Sequence, residues 1–184
     1  MAFNIDAMTD RYTDFMRNYL FYCKIVQAPA GILGGALQNN HPYLVTSANL
    51  PTTTIGHAEA AFQGNTYRVG TTTEFEDYTV TFRADVNHDL RREFLRWANI
   101  IHNPITNVHG TPTSYHGKMA LDHIGPDGQV KMKYNFIKIW PKVVGEIALE
   151  HTSKDFSTFP VTFSYQYHYA DSVNGVTADP TGTV

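Results

Sequence analysis

The sequence predicts a mainly β fold: two packed antiparallel sheets forming a β-sandwich or barrel, with one flanking α-helix at about residues 85–101. Three observations carry this. The aromatic content is Phe and Tyr, 11 of each against 2 Trp, and these residues recur with Val and Thr in short runs of strand-favouring type. Two segments, 74–84 and 161–169, alternate apolar and polar residues with a period of two. Only one long segment, 90–101, changes to a helical period.

In chain order, Asp6, Asp10 and Asp14 stand four apart with Ala7, Met8, Tyr12 and Phe15 between them. That pattern fits a short amphipathic helix over 6–17. Its acids read as a solvated face near a helix N-terminus, where negative charge is favoured, rather than as a metal site. Tyr19 to Ala28 reads as a central strand, apolar on both faces and ended by Pro29. Gly31, Gly34, Gly35, Asn39, Asn40 and Pro42 mark 30–42 as a loop. Tyr43 to Ala48 is a strand closed by Leu50 and Pro51, and Gly56–Phe62 and Thr66–Val69 flank Gly64-Asn65 as a hairpin.

In 74–84, Tyr78, Val80 and Phe82 share one face and Asp77, Thr79, Thr81 and Arg83 the other, as in a half-buried strand. Leu90, Phe94, Leu95, Trp97, Ala98 and Ile101 then form a helical stripe, with Arg91, Arg92, Glu93 and Arg96 on the wet side. Asp85 or Asn87 is the capping residue and Pro104 the stop. Residues 103–117 read as a loop. Met119–Ile124 and Val130–Trp140 bracket the turn Gly125-Pro126-Asp127-Gly128.

Within the second of these strands, Val130, Met132, Tyr134 and Phe136 share a face, after which the apolar phase jumps to Ile137 and Ile139. A slip of one residue implies a bulge, or a strand passing from one sheet to another. Ile147 and Leu149 mark a further short strand. In the final strand Val161, Phe163, Tyr165, Tyr167 and Tyr169 oppose Thr162, Ser164, Gln166 and His168. The expected organisation is a single domain over 1–170 and a flexible tail over 171–184, where apolar periodicity ends.

Charged residues are 17%, below the usual ~25%, so part of the nominal surface reads as interface. A net charge of −3 argues against a protein held to nucleic acid by phosphate contacts. The start lacks a basic and then apolar leader, and no run approaches the ~20 apolar residues of a membrane span, so neither is expected. The single cysteine, Cys23, has no disulfide partner within the chain and sits in an apolar strand, as a small buried hydrophobe rather than a nucleophile.

Sequence patterns for chemistry are absent. His102, His109, His116 and His123 are spaced by seven, but Pro104, Gly110, Pro112 and Gly117 forbid the one helix that would align them. There is no His-Glu-x-x-His, no Gly-x-Ser-x-Gly and no phosphate loop ending in Lys-Ser/Thr. Glu74 and Glu76 share a strand face in a charged, wet run. No catalytic residue, cofactor or metal is expected.

Three segments, in order, resemble the tail tube proteins of contractile-tailed bacteriophages. The first is Thr73-Glu74-Phe75-Glu76-Asp77-Tyr78-Thr79-Val80-Thr81-Phe82, leading through Asp85, Asn87 and His88 into a helix with Arg92, Phe94 and Trp97. The second runs from Ile139-Trp140-Pro141 through Val143-Val144-Gly145-Glu146 to Leu149, and the third is Phe159-Pro160-Val161-Thr162-Phe163-Ser164-Tyr165-Gln166-Tyr167. Leu50-Pro51 matches as well. The resemblance spans roughly 44–169; the stretches 29–42, 103–117 and beyond Ala170 look longer than is usual there. It puts structural weight on Leu50, Pro51, Phe75, Asp77, Tyr78, Trp97, Trp140, Pro141 and Gly145.

The residue types make physical sense at these positions. Pro141 removes a ladder donor and so is expected to end a strand. Gly145 is expected to take a positive φ. Trp97 and Trp140 offer large apolar areas to lock helix to sheet. The resemblance implies a structural subunit of the virion, assembled in the bacterial cytoplasm. Hexameric rings of this chain would stack into a tube inside a contractile sheath. Baseplate and tail-terminator proteins would be partners, and DNA would pass through without specific binding. The alternative is the tube of a type VI secretion or other contractile injection system, with protein cargo. A small β-barrel ligand binder or enzyme is the third reading, to be recognised by a closed apolar pocket.

Overall fold

The computed structural model describes residues 15–29, 32, 41–152 and 154–172. Asp6, Asp10 and Asp14, most of the 30–42 loop and the tail beyond Ser172 lie outside the described residues. The elements are β1 (Phe21–Gln27), the one-turn helix α1 (His41–Leu44), β2 (Val45–Ala48), β3 (Thr54–Phe62), β4 (Asn65–Glu74), β5 (Tyr78–Arg83) and α2 (Asp89–Ile101). There follow β6 (His102–Asn103), β7 (Val108–His109), α3 (Pro112–Tyr115), β8 (Gly117–Ile124), β9 (Val130–Val144), β10 (Thr158–Ser164) and β11 (Tyr167–Ser172).

Two antiparallel sheets share β9. Its first part pairs with β8 on one side and β11 on the other, giving the order β1-β8-β9-β11. Its last residues, Trp140 to Val144, pair with β10, giving β9-β10-β5-β2. The phase jump in the sequence marks this handover. Lys138 takes a left-handed φ of 56° and is the unpaired residue of a bulge, since Lys118 faces Ile137 while Gly117 faces Ile139. The extra residue brings both Phe136 and Ile139 into the core. The sheets remain open at β1, β11 and β2, so the body is a sandwich and not a closed barrel.

The core lies between the sheets and under α2. Tyr78 of one sheet stacks at 4.6 Å on Phe136 of the other, and Phe94 of α2 sits 5.1 Å from Phe82 and 5.8 Å from Phe163. The alternation expected for 74–84 places Tyr78, Val80 and Phe82 inside and Thr79 and Arg83 outside. Cys23 is buried, and desolvation pushes its thiol up to about 12. The His41 ring accepts from the Ile25 N–H at 2.7 Å, which satisfies a backbone donor where β1 slips register against β8.

Several expectations need correction. The helix starts at Asp89, not 85, because His88 takes a left-handed φ of 54° just before it. Asp85 caps from outside, accepting from the Asp89 and Leu90 N–H groups at 3.0 and 3.4 Å. Glu93 is buried and Leu95 exposed, the reverse of the stripe expected. At ~100° per residue Leu95 stands about 140° from Leu90 and Glu93 only about 60°. The hairpin turn is Gln63-Gly64, both at positive φ, one residue earlier than Gly64-Asn65. Tyr43 and Leu44 belong to α1 rather than to a strand.

Ile147 and Leu149 lie in irregular chain rather than in a strand. The 161–169 strand divides at Tyr165-Gln166, since β10 and β11 serve different sheets. β11 runs two residues past the boundary expected at 170. Pro141 does not end a strand. It is buried within β9 at a second bulge, where Phe163 faces Pro141 and Thr162 faces Val143, so its missing N–H costs no ladder bond. Gly145 has no positive φ; a Cβ there would lie 2.5 Å from Pro160 Cγ and 2.7 Å from Pro160 O. Close approach, not conformation, requires the glycine.

Candidate assembly surfaces

The most exposed element is the β3–β4 hairpin. Its arms of nine and ten residues pair along their length, and at ~3.4 Å per residue they reach about 30 Å. Ile55 (64% exposed), Phe62 (72%) and Tyr67 (70%) stand out on it. Glu59 and Arg68 face each other across the strands and form a 2.7 Å ion pair in solvent. A free two-stranded ribbon is at best marginally stable in water, and contiguous exposed apolar groups mark interaction surfaces. Local pairing therefore forms the arm, and among the described residues nothing covers its exposed apolar groups.

The family-like residues fall into two places. Leu50, Pro51, Asp77 and Tyr78 line one open pocket of about 230 Å³ at the base of the arm, with Glu76 and Tyr165. Tyr78 donates its O–H to the Asn49 carbonyl, and burial pushes its phenol far up. Asp77 accepts from Lys142 Nζ at 2.6 Å, tying β5 to the second bulge of β9. Phe75, half-buried, packs 5.9 Å from Tyr165 and 5.0 Å from His168. The other group lies around α2. Trp97 is fully buried and donates from Nε1 to the Tyr115 carbonyl at 2.7 Å. Trp140 is only half-buried and meets the ring of the same Tyr115 edge-on at 6.3 Å. It therefore holds α3 rather than locking α2 to the sheet. Gly145 donates its N–H to Pro160 and accepts from Arg91 through its carbonyl, joining α2 to β10.

Chemical sites do not converge. Among the described residues no three His, Cys, Asp or Glu side chains meet as metal ligands would. His102 and His109 do come together, stacked at 4.3 Å as partners across the β6–β7 bridge. The seven-residue spacing carried no sign of that reversal, which Pro104 and the left-handed Asn107 produce. The outer face of β5 and β10 is hydroxyl-rich, with Thr79 and Thr162 joined at 2.9 Å between their Oγ1 atoms and Arg83 at its end lying over the Phe156 ring. Among the described residues the surface thus offers an exposed arm, open sheet edges and a hydroxyl-rich face.

The family model for phage tail tube proteins matches residues 18–171, from the chain before β1 into β11. The chain belongs to the phage tail tube protein family. It is 29% identical over 156 residues to the tail tube protein gp19 of Enterobacteria phage T4, covering 82% of this chain and 81% of that one. The corresponding protein of Enterobacteria phage T6 is 28% identical over the same shares. In fold it is similar to a chain of the sheath/tube terminator of the extracellular contractile injection system PVC (TM-score 0.65, 12% identity, 88% of this chain and 100% of that one). A chain of the PVC sheath-tube complex gives a TM-score of 0.59 at 12% identity over 94% and 100%. This chain is accordingly a structural tail tube subunit and a component of the virion tail. The expected mainly β sandwich stands.

Proposed function

We propose that six copies of this chain close into a ring and that the rings stack into the tube of a contractile tail, through which the genome passes. The carrying observation is the β3–β4 arm, which exposes Ile55, Phe62 and Tyr67 and, among the described residues, pairs only with itself. An arm on one surface that engages a different surface on another copy makes a head-to-tail contact, which closes into rings or continues as a stack.

Each sheet offers four strands. Six copies of one sheet, at ~4.8 Å between strands and ~40° tilt, give a circumference of about 150 Å and a backbone diameter near 48 Å. Side chains reaching about 5 Å inward leave a bore of roughly 38 Å, wide enough for a duplex with grooves ~8 Å deep on either side of its stacked bases. Passage also has to be slippery, because every cation bonded to phosphate adds salt-dependent affinity. The neutral face of Thr79, Thr81, Thr162 and Ser164 suits such a lining. Of the two awkward cations, Lys131 and Lys133, Lys131 is paired with Asp127 at 2.5 Å, and Lys133 must point away from the bore. Sheath, baseplate and terminator proteins are the expected partners, and residues 1–170 act as a single tube domain.

Electron microscopy of the purified full chain tests this. Rings or tubes with a bore near the value above are expected, and the Phe62→Ser/Tyr67→Ser variant should stay folded yet form no tubes. Only monomers at micromolar concentration, with no tubes even on purified tail baseplates, would refute the reading.

A further inference from the structure

We propose that His168 is a latch fixing the β3–β4 arm to the body of the subunit, and that acid opens it. The arm enters through Thr53, immediately before β3, and leaves through Phe75, immediately after β4. Both feet meet the same imidazole. Thr53 Oγ1 lies 3.1 Å from His168 Nε2, and the Phe75 ring meets the imidazole edge-on at 5.0 Å. Behind it stand Tyr165 at 5.8 Å, Phe136 at 5.8 Å and Tyr134 at 6.4 Å. One side chain of β11 thus joins the two ends of an element whose strands, among the described residues, pair only with each other.

The other ring nitrogen fixes the protonation state. Nδ1 is buried and has no hydrogen-bond partner among the described residues. A buried N–H without an acceptor costs more than a buried lone pair without a donor, so the latched ring carries its proton on Nε2 and donates to Thr53 Oγ1. A second proton has to go to Nδ1, inside a box of four rings, where the charge finds no oxygen.

Among the described residues no carboxylate offsets that charge. The groups facing the ring are Thr53 and Phe75 from the arm's feet, Tyr134 and Phe136 from β9, and Tyr165 before β11. On its own strand, Asp171 accepts from Asn135 Nδ2 at 2.8 Å. Glu76 and Asp77 act on Tyr165, and Asp77 is held by Lys142. Burial accordingly lowers the pKa of His168 below its ordinary 6.5. The sign follows: a ring that titrates lower when latched leaves the latch fully formed above about 6.5, and the latch weakens as pH falls through that value, levelling off below the latched pKa. The protection lost saturates at about tenfold for each pKa unit between the latched and the free ring.

Amide hydrogen exchange of the dispersed full chain at pH 7.5 and pH 5, corrected for intrinsic rates, reads this directly. Amides at Thr54, Ile55 and Phe75 should lose protection in acid while those of β5 and β10 hold. His168→Phe keeps the aromatic packing but cannot titrate, and should abolish the pH response. Thr53→Val should lower protection at pH 7.5 to near the wild-type value at pH 5. Equal foot protection in the wild type at both pH values overturns the proposal. So does a wild-type response in His168→Phe, which would assign the effect to another group such as the arm's own His57. The consequence for assembly, weaker tube formation at pH 5, rests on the tube reading above. Feet that open in acid while tubes never form would refute that reading and leave the latch standing; tubes with unresponsive feet would do the reverse.

Discussion

Replacing Trp97 with alanine should cripple the subunit, whereas the same change at Trp140 should not. The two tryptophans look equivalent in the sequence, and the structure separates them. Trp97 is fully buried on α2 against Phe163 at 6.5 Å and is the ring over which β8 begins: a Cβ on Gly117 would lie 2.9 Å from its Cη2. Truncation removes a buried aromatic, at about 3–5 kcal/mol. It also breaks the bond from Nε1 to the Tyr115 carbonyl, leaving that acceptor to find water or go without, for about another 1 kcal/mol. Trp140 is only partly buried and meets Tyr115 edge-on, so on the scale of ~25 cal/mol per Å² its loss is about 1–2 kcal/mol.

For a chain of this length each kcal/mol lowers the melting temperature by about 2–4 °C, so Trp97→Ala should fall by about 8–24 °C and Trp140→Ala by about 2–8 °C. The assay is thermal unfolding of the dispersed subunit followed by circular dichroism, with urea midpoints as a check. Equal shifts in the two variants, or a Trp97→Ala protein melting like the wild type, would show that α2 does not seal the core as described.

Two further substitutions test local geometry. Gly145→Ala drives a Cβ into Pro160, whose carbonyl and ring have no room to move away, so a loss of about 1–3 kcal/mol is expected in a urea titration, and the conformationally similar Ser should do no better. Asp85→Ala removes the carboxylate that accepts from two N–H groups at the start of α2 and should cost about 1 kcal/mol, whereas Asn87→Ala, the other capping candidate in the sequence, should leave the melting temperature unchanged.

Much of the body was legible because periodicity is a one-dimensional record of burial. Val80 and Phe82, Phe159 to Phe163, and Leu90, Phe94 and Trp97 announce their faces, and the slip after Phe136 announces the handover of β9. The errors arise where a residue answers to something remote in sequence. Pro141 reads as a strand end until Lys142 bulges out opposite β10. Gly145 reads as a turn until Pro160 arrives against it. His168 reads as one more polar residue on an alternating strand, because nothing local places Thr53 and Phe75 around it. Family resemblance directed attention to Phe75 but not to the histidine it meets.

The edges of this sandwich are built to pair, but only once. An open, flat edge strand invites indefinite association, which proteins limit with short strands, bulges and proline. Here β2 has four residues and slips register at Thr46, β1 slips at Val26, and the free end of β9 carries Pro141 and the Lys142 bulge. The β1, β2 and β9 edges therefore offer short and irregular sets of backbone groups that only a partner of matching register can use, whereas β11 pairs β9 without a shift over six residues. The arm is longer, has one register shift beside Gly56, and exposes Ile55, Phe62 and Tyr67 beside the Glu59–Arg68 ion pair. In the ring-and-stack assembly proposed above, such edges would limit pairing away from the tube end while the arm engages a surface shaped for it.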